Sequence, residues 1–301
     1  MSKSQSFRLP TLSTSQALGA GLAAGALALY VLNRRRSTYK RVADNIPRVG
    51  DESDEIVLYG FDRMSDVVAS FSPYVSKVEA WMRFVGLPYT KRLALPAQAP
   101  RGQLPFIQHG DNAVPDSEFI IKYLQRTYPE VDKPLSPEQE ALSVMMSHFI
   151  EDSLYYGLFY HRWIHPAGWE SIKGLVLASV PKAARIPVRY QLQASVRPNM
   201  VTKLHQQGLG RLSEADINML LDEKLAALSQ MLGEKKYLLG QEPCVADATA
   251  FGFLDNALAS EGVNPDLRDM LSQYSNLVAY TERIRAAYFD MEMRFETTSE
   301  E

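Results

Sequence analysis

The chain has 301 residues, enough for two modest domains with separate cores, and a composition that is 46% hydrophobic and 22% charged excludes wholesale disorder. Its net charge of −3 is unevenly spread: residues 1–41 hold seven of the 32 basic residues and no acid, which leaves 25 basic against 35 acidic residues in a body that is therefore a poor binder of nucleic acid. The single cysteine, Cys244, excludes an intrachain disulfide, so the body needs no oxidising compartment to fold.

From Leu9 to Asn33 the chain runs 25 residues without a charge. Crossing the hydrocarbon core takes about 20 helical residues, so one transmembrane helix over about 12–32 is expected within an N-terminal segment 1–33. The stretch is weakly apolar, because the three Gly and six Ala of Ala17–Leu32 contribute little transfer energy. Ala26-Leu27-Ala28 keeps a cleaved signal peptide open, and a mitochondrial presequence is a further alternative. Arginines directly after the stretch and the lack of paired cysteines favour the anchor. Five basic residues follow the span and Lys3 and Arg8 precede it, so the positive-inside rule leaves the body in the cytosol. Such a short, Arg-flanked anchor suits the mitochondrial outer membrane, with the endoplasmic reticulum as the alternative. Residues 34–53, polar and containing Pro47 and Gly50, read as a linker.

Next, Ile56-Val-Leu-Tyr-Gly60 has the composition of a buried strand. Val75, Val78, Trp81, Met82 and Val85 then recur at helical spacing behind Pro73, and Gly86 and Pro88 end that helix. A strand around Tyr89–Leu95 and another over Gly102–Ile107 precede a polar turn at His109–Asn112. Asp116–Leu124 is a helix capped by Asp116 or Ser117, with Phe119, Ile120, Tyr123 and Leu124 inward. The order β-α-β-β-β-α describes a small α/β domain. From Ser136 the patterns turn helical: Pro137–Phe159, Ile172–Gln193 with Pro181 and Pro187 inside it, Ser213–Leu232, Val245–Leu258 and Asn276–Tyr288. Residues 291–301 read as a disordered tail.

Five motifs stand in order: Ser72-Pro-Tyr-Val-Ser-Lys-Val-Glu79, Gly102-Gln-Leu-Pro-Phe-Ile107, Asp116-Ser-Glu-Phe-Ile-Ile121, Gln207-Gly-Leu-Gly-Arg-Leu-Ser-Glu214 and Tyr237-Leu-Leu-Gly-Gln-Glu-Pro-Cys-Val-Ala-Asp247. Together, over residues 55–290, they resemble the glutathione transferase superfamily, and more finely its failed axon connections and metaxin-like branch. The resemblance implies a thioredoxin-like domain over 54–130 and an all-α domain over 136–290, behind the transmembrane helix.

Laid over the residues, the resemblance makes Pro105 the cis-proline whose backbone pairs with the cysteinyl part of glutathione. It puts Asp116 and Ser117 at the helix N-terminus that receives the γ-glutamyl carboxylate, where free N–H groups favour an anion. Capping alone explains both residues equally well. Thiol-using relatives carry cysteine where Ser72-Pro-Tyr-Val75 stands, so disulfide exchange by this site is excluded. Ser72 is the candidate to hydrogen-bond a glutathione thiolate, with Tyr59 and Tyr74 as weaker alternatives by proximity. A serine before a helix-starting proline is also an ordinary cap. Cys244 stands where relatives cap a helix with Ser or Thr, so it reads as structural, with Asp247 as its partner.

His161 and His165 share a helical face, but no third ligand stands at convincing spacing, so no metal is expected. No nucleotide-binding motif is present either. Lys173–Arg189 could touch acidic lipid heads or be an ordinary solvated face. Two functions follow from the resemblance. One is a membrane-tethered, non-catalytic interaction protein, as metaxins are in protein import. The alternative is a glutathione-dependent transferase acting on an apolar electrophile, with glutathione as co-substrate. A protein partner at the membrane and a dimer are both expectations of the family.

Overall fold

The computed structural model describes residues 55–61, 69–178, 181–259 and 264–289. The expected anchor, the linker over 34–53 and the tail over 291–301 lie outside them. Among the described residues no helix is long and apolar enough to cross a membrane.

Four strands form one sheet in the order β2-β1-β3-β4, namely β1 (Ile56–Gly60), β2 (Thr90–Leu93), β3 (Phe106–His109) and β4 (Asn112–Pro115). β1 pairs in parallel with β2 and antiparallel with β3, and β3 pairs antiparallel with β4. Every residue of β1 is buried, because both its faces are covered. Ile56 and Leu58 pack beneath helices α1 (Pro73–Phe84) and α2 (Ser117–Thr127), while Val57 and Tyr59 join Ala94, Ala99 and Phe106 on the other face. Two strands are shorter than the sequence pattern suggests. β2 stops at Leu93 because Pro96 opens a single 3-10 turn, and β3 starts only at Phe106. Gly102, at φ 67, and donorless Pro105 keep the stretch before it out of the ladder.

The helical half begins with α3 (Pro137–Phe149), started by a reciprocal Ser136/Gln139 capping box. The stretch expected to run from 137 to 159 passes through a π-helical turn at Ile150–Leu154 and continues as α4 (Tyr155–Trp163). α5 (Pro166–Ala178) follows, then a 3-10 turn at Lys182–Ala184 and α6 (Arg185–Gln191). Pro181 therefore breaks the expected 172–193 segment, whereas Pro187 sits in the first turn of α6, where a missing N–H costs little. A second π-helical turn, Leu192–Val196, leads into α7 (Arg197–Gln207). The bundle closes with α8 (Glu214–Leu232), α9 (Val245–Leu258), α10 (Pro265–Ser272) and α11 (Ser275–Tyr288). One apolar core runs through both halves, joining Leu58, Val78, Trp81, Ile107 and Ile120 to Phe251, Leu254, Leu277 and Tyr280.

Candidate functional site

Pro73 starts α1 with φ already set for a helix, which places Ser72 at the N-cap with extended dihedrals. The Ser72 carbonyl accepts the first helical hydrogen bond, from Ser76 N–H at 3.0 Å, but its hydroxyl makes no capping bond. The segment leading to it is held from the helical half. Asp255 on α9 accepts from Ala69 N–H at 3.0 Å, and Asn256 donates to Ser70 O at 3.0 Å. Arg162 on α4 donates to Phe71 O and to Asn256 Oδ1, each at 3.0 Å. Ser72 N–H itself donates to Ser70 Oγ at 3.3 Å. A serine hydroxyl at a helix start thus sits on a clamped backbone.

Arg162 is buried and, among the described residues, donates to carbonyl oxygens and lies over the Phe71 ring, 4.7 Å from its guanidinium carbon. Burial pulls its guanidinium down to about 10, with the Tyr155 phenol opposing that fall and no carboxylate doing so among the described residues.

Pro105 stands at the entry to β3. The Leu104–Pro105 peptide is cis, and the Pro105 carbonyl accepts from Asp116 N–H at 3.1 Å. Asp116 takes φ 78, a left-handed value uncommon outside glycine. Its carboxylate turns back onto α2 and accepts from Glu118 N–H at 3.1 Å, while Ser117 is buried beside it. Lys77, one turn into α1 and fully buried, donates to Glu118 at 3.3 Å and to Glu151 in the π-helical turn at 2.8 Å. Burial acts to raise Glu118, but the Lys122 and Lys77 ammoniums outweigh it and hold the carboxyl below its ordinary range. Glu151 lies deeper and has Glu118 as a neighbour, so burial prevails over Lys77 and lifts it.

Tyr74 faces the helical half. Its ring meets Tyr155 at 5.4 Å and Phe253 at 5.3 Å, both edge to face. Burial drives its phenol far above the ordinary value, so it is a neutral O–H group. Tyr59 lies elsewhere: on the sheet face away from α1 and α2, stacked on Phe106 at 4.4 Å, its hydroxyl buried with no hydrogen-bond partner among the described residues. α1, which starts behind Ser72, and α2, which starts behind Asp116, thus cover the sheet face of Leu58, whereas Tyr59 lies on the other face.

Cys244 is the N-cap of α9, where its backbone N–H donates to Asp247 at 2.9 Å and its thiol at 3.1 Å. Burial pushes the thiol up to about 12, and the Asp247 charge adds to that. Asp247, itself fully buried, also accepts from Leu238 N–H and Tyr280 O–H, each at 2.8 Å. His161 and His165 each accept from the Asn264 amide at 2.9 Å. Among the described residues no group of three His, Cys, Asp or Glu is placed to hold a metal.

Sequence reading passed over Lys77, Arg162, Asp255 and Asn256. The available signal was a charged or amide residue inside a helix with no polar face: α1 buries nine consecutive positions, Val75–Arg83, with Lys77, Glu79 and Arg83 among them.

Comparison with known proteins gives a consistent picture. The family model for the glutathione S-transferase N-terminal domain matches residues 73–168, and that for the glutathione S-transferase C-terminal domain matches residues 221–284. Failed axon connections of Drosophila melanogaster is 29% identical over 266 residues, a match that spans 81% of this chain and 60% of that protein. Isoprene-epoxide–glutathione S-transferase of Rhodococcus sp. is 30% identical, spanning 73% of this chain and 94% of the enzyme. Human Metaxin-2 is 26% identical, spanning 75% and 84%. Among solved structures, glutathione transferase GSTFuA3 of Phanerochaete chrysosporium shares the fold with a TM-score of 0.53 at 18% identity, covering 78% of this chain and 97% of that one.

Proposed function

Because the chain belongs to the glutathione S-transferase family and is similar to failed axon connections and the metaxins, we propose that it is a membrane-tethered interaction protein built on the transferase fold. The observation that carries this reading is the self-capped N-terminus of α2. Asp116 already accepts from Glu118 N–H at 3.1 Å, so one of the donors that an incoming carboxylate would use is taken. Asp116, Glu118 and Glu151 outnumber Lys77 and Lys122 around that helix end, and this surplus of negative charge opposes the γ-glutamyl carboxylate of glutathione. Ser72 supplies no sulfur, and the Tyr74, Tyr155 and Phe253 rings fill the side of α1 where an apolar electrophile would lie. In this reading residues 12–32 tether the body to the mitochondrial outer membrane or the endoplasmic reticulum, with the helical half turned to a protein partner.

A second reading rests on one observation, the 30% identity to a bacterial epoxide–glutathione transferase across 94% of its length. Glutathione would then lie along the Pro105 corner, with Ser72 donating to its thiolate. A conjugation assay of the full chain with glutathione and a small epoxide, run beside Ser72→Ala, separates the two. The interaction role is supported by background rates in both proteins. A wild-type rate that falls about a hundredfold in Ser72→Ala establishes the transferase instead.

A further inference from the structure

Between Glu170 and Glu214 lie 43 residues, 171–213, with no Asp or Glu and with seven Lys or Arg, in a body whose acids otherwise outnumber its bases. The middle of this stretch is two-sided. Val188, Leu192 and Val196 turn inward and pack with Trp169 and Leu177 in a small core of their own. At helical spacing on the opposite side stand Lys182, Ile186, Arg189, Tyr190 and Gln193, all exposed. Ile186 is 82% exposed and Tyr190 70%. A helix whose inner face is already buried gains nothing from a large apolar residue outside, and the cost of wetting both falls on the folded state. Lys182 and Arg189 flank them, and neither makes an ion pair among the described residues.

We propose that this outer face of residues 182–193 docks onto an anionic lipid bilayer. Two protruding apolar side chains, one ending in a phenol, enter the headgroup boundary, while the acid-free run of cations meets the lipid phosphates and carboxylates. Charge decides the choice of partner. The exposed Val144 and Met145 on α3 stand in a stretch that carries Glu138 and Glu140, so an anionic surface would be repelled there and attracted at α6. This contact is separate from the N-terminal tether and does not need it.

Hydrogen–deuterium exchange of the full-length chain, mixed with phosphatidylcholine vesicles with or without phosphatidylserine, reads the face locally. Slowed exchange over 182–197 with the anionic vesicles only, weakened by salt, is the expected result. Lys182→Glu with Arg189→Glu, and separately Ile186→Ser with Tyr190→Ser, reduce vesicle-induced protection there about tenfold. Unchanged exchange over 182–197 with anionic vesicles overturns the proposal, even if the chain binds through its N-terminus. Equal protection by zwitterionic vesicles overturns it, as does protection by an acidic peptide or RNA without any from vesicles. Failure of the N-terminal tether shows instead as loss of binding to zwitterionic vesicles, with the response at 182–197 intact.

Discussion

Gly252 on α9 and Pro73 on α1 meet backbone to backbone: a methyl group at 252 would lie 2.5 Å from the Pro73 carbonyl oxygen and 2.9 Å from Lys77 N. The two halves of the fold are thus pressed together immediately behind Ser72. Neither contacted atom belongs to a side chain that can swing aside, so α1 must shift to accept Cβ. Gly252→Ala is expected to destabilise the protein by about 1–3 kcal/mol, an overpacking cost, despite the better helix propensity of alanine. Urea unfolding of the two proteins measures it, and an unchanged midpoint would show that the helices separate freely.

Arg162 ties Phe71 O to Asn256 and carries a buried charge that no carboxylate among the described residues neutralises. Removing it strands acceptors but also relieves desolvation, so the two effects partly cancel. Arg162→Met is expected to cost about 1–3 kcal/mol. Arg162→Lys should recover little, since a single ammonium cannot span both acceptors as the planar fork does. Full recovery by lysine in unfolding experiments would mean that charge, and not the fork, holds the Ser72 segment.

The contrast between these sites and the regular elements shows what sequence makes legible. β1, α1, α2 and α9 announce themselves, because apolar periodicity, Pro73, Gly86 and the Asp116 cap act within a few residues of one another. α7 and α10 escaped notice because their buried faces are sparse: only Leu204 is fully buried on α7, and Leu267 and Leu271 on α10. Pro105, Asp116 and Ser117 were legible, since they sit in local motifs. Arg162, Asp255 and Asn256 were not, because each acts on a backbone group at least 91 positions away. Tyr59 illustrates the period-two rule in reverse: one position from Leu58, it points to the opposite face of the sheet from α1.

His161 supplies a pH dependence with a definite sign. Burial lowers its pKa, with His165 adding to the fall and Asn218, Glu214 and Asp266 opposing it. Asn264 Oδ1 accepts from Asp266 N–H, which fixes the amide so that Nδ2 donates to His161 Nδ1, leaving the His161 proton on Nε2, where it is donated to Asn218 Oδ1. The folded state therefore binds a further proton on this imidazole less readily than the unfolded chain. Its contribution to stability is complete above about pH 6.5, the unfolded value, and is lost as pH falls through the lower folded value. Urea midpoints should drop on acidification from about pH 8 to pH 5, and drop less steeply in His161→Gln. Parallel slopes for both proteins would assign the dependence to other groups.

Lys77 gives the sharpest energetic test, because its ammonium is fully buried between two carboxylates on separate elements. Lys77→Met keeps the stem volume and strands Glu118 and Glu151, and breaking such a pair from one side costs about 3–5 kcal/mol. The two acids are not equivalent. Glu118 keeps Lys122 at 2.8 Å and is partly exposed, whereas Glu151 is already raised by burial. Glu151→Gln alone is therefore expected to be mild, and Lys77→Met with Glu151→Gln should recover more than half of the single-variant loss. A double-mutant cycle by urea unfolding measures this coupling. If the two losses simply add, Lys77 is held by Glu118 alone, and the π-helical turn contributes nothing to joining the halves.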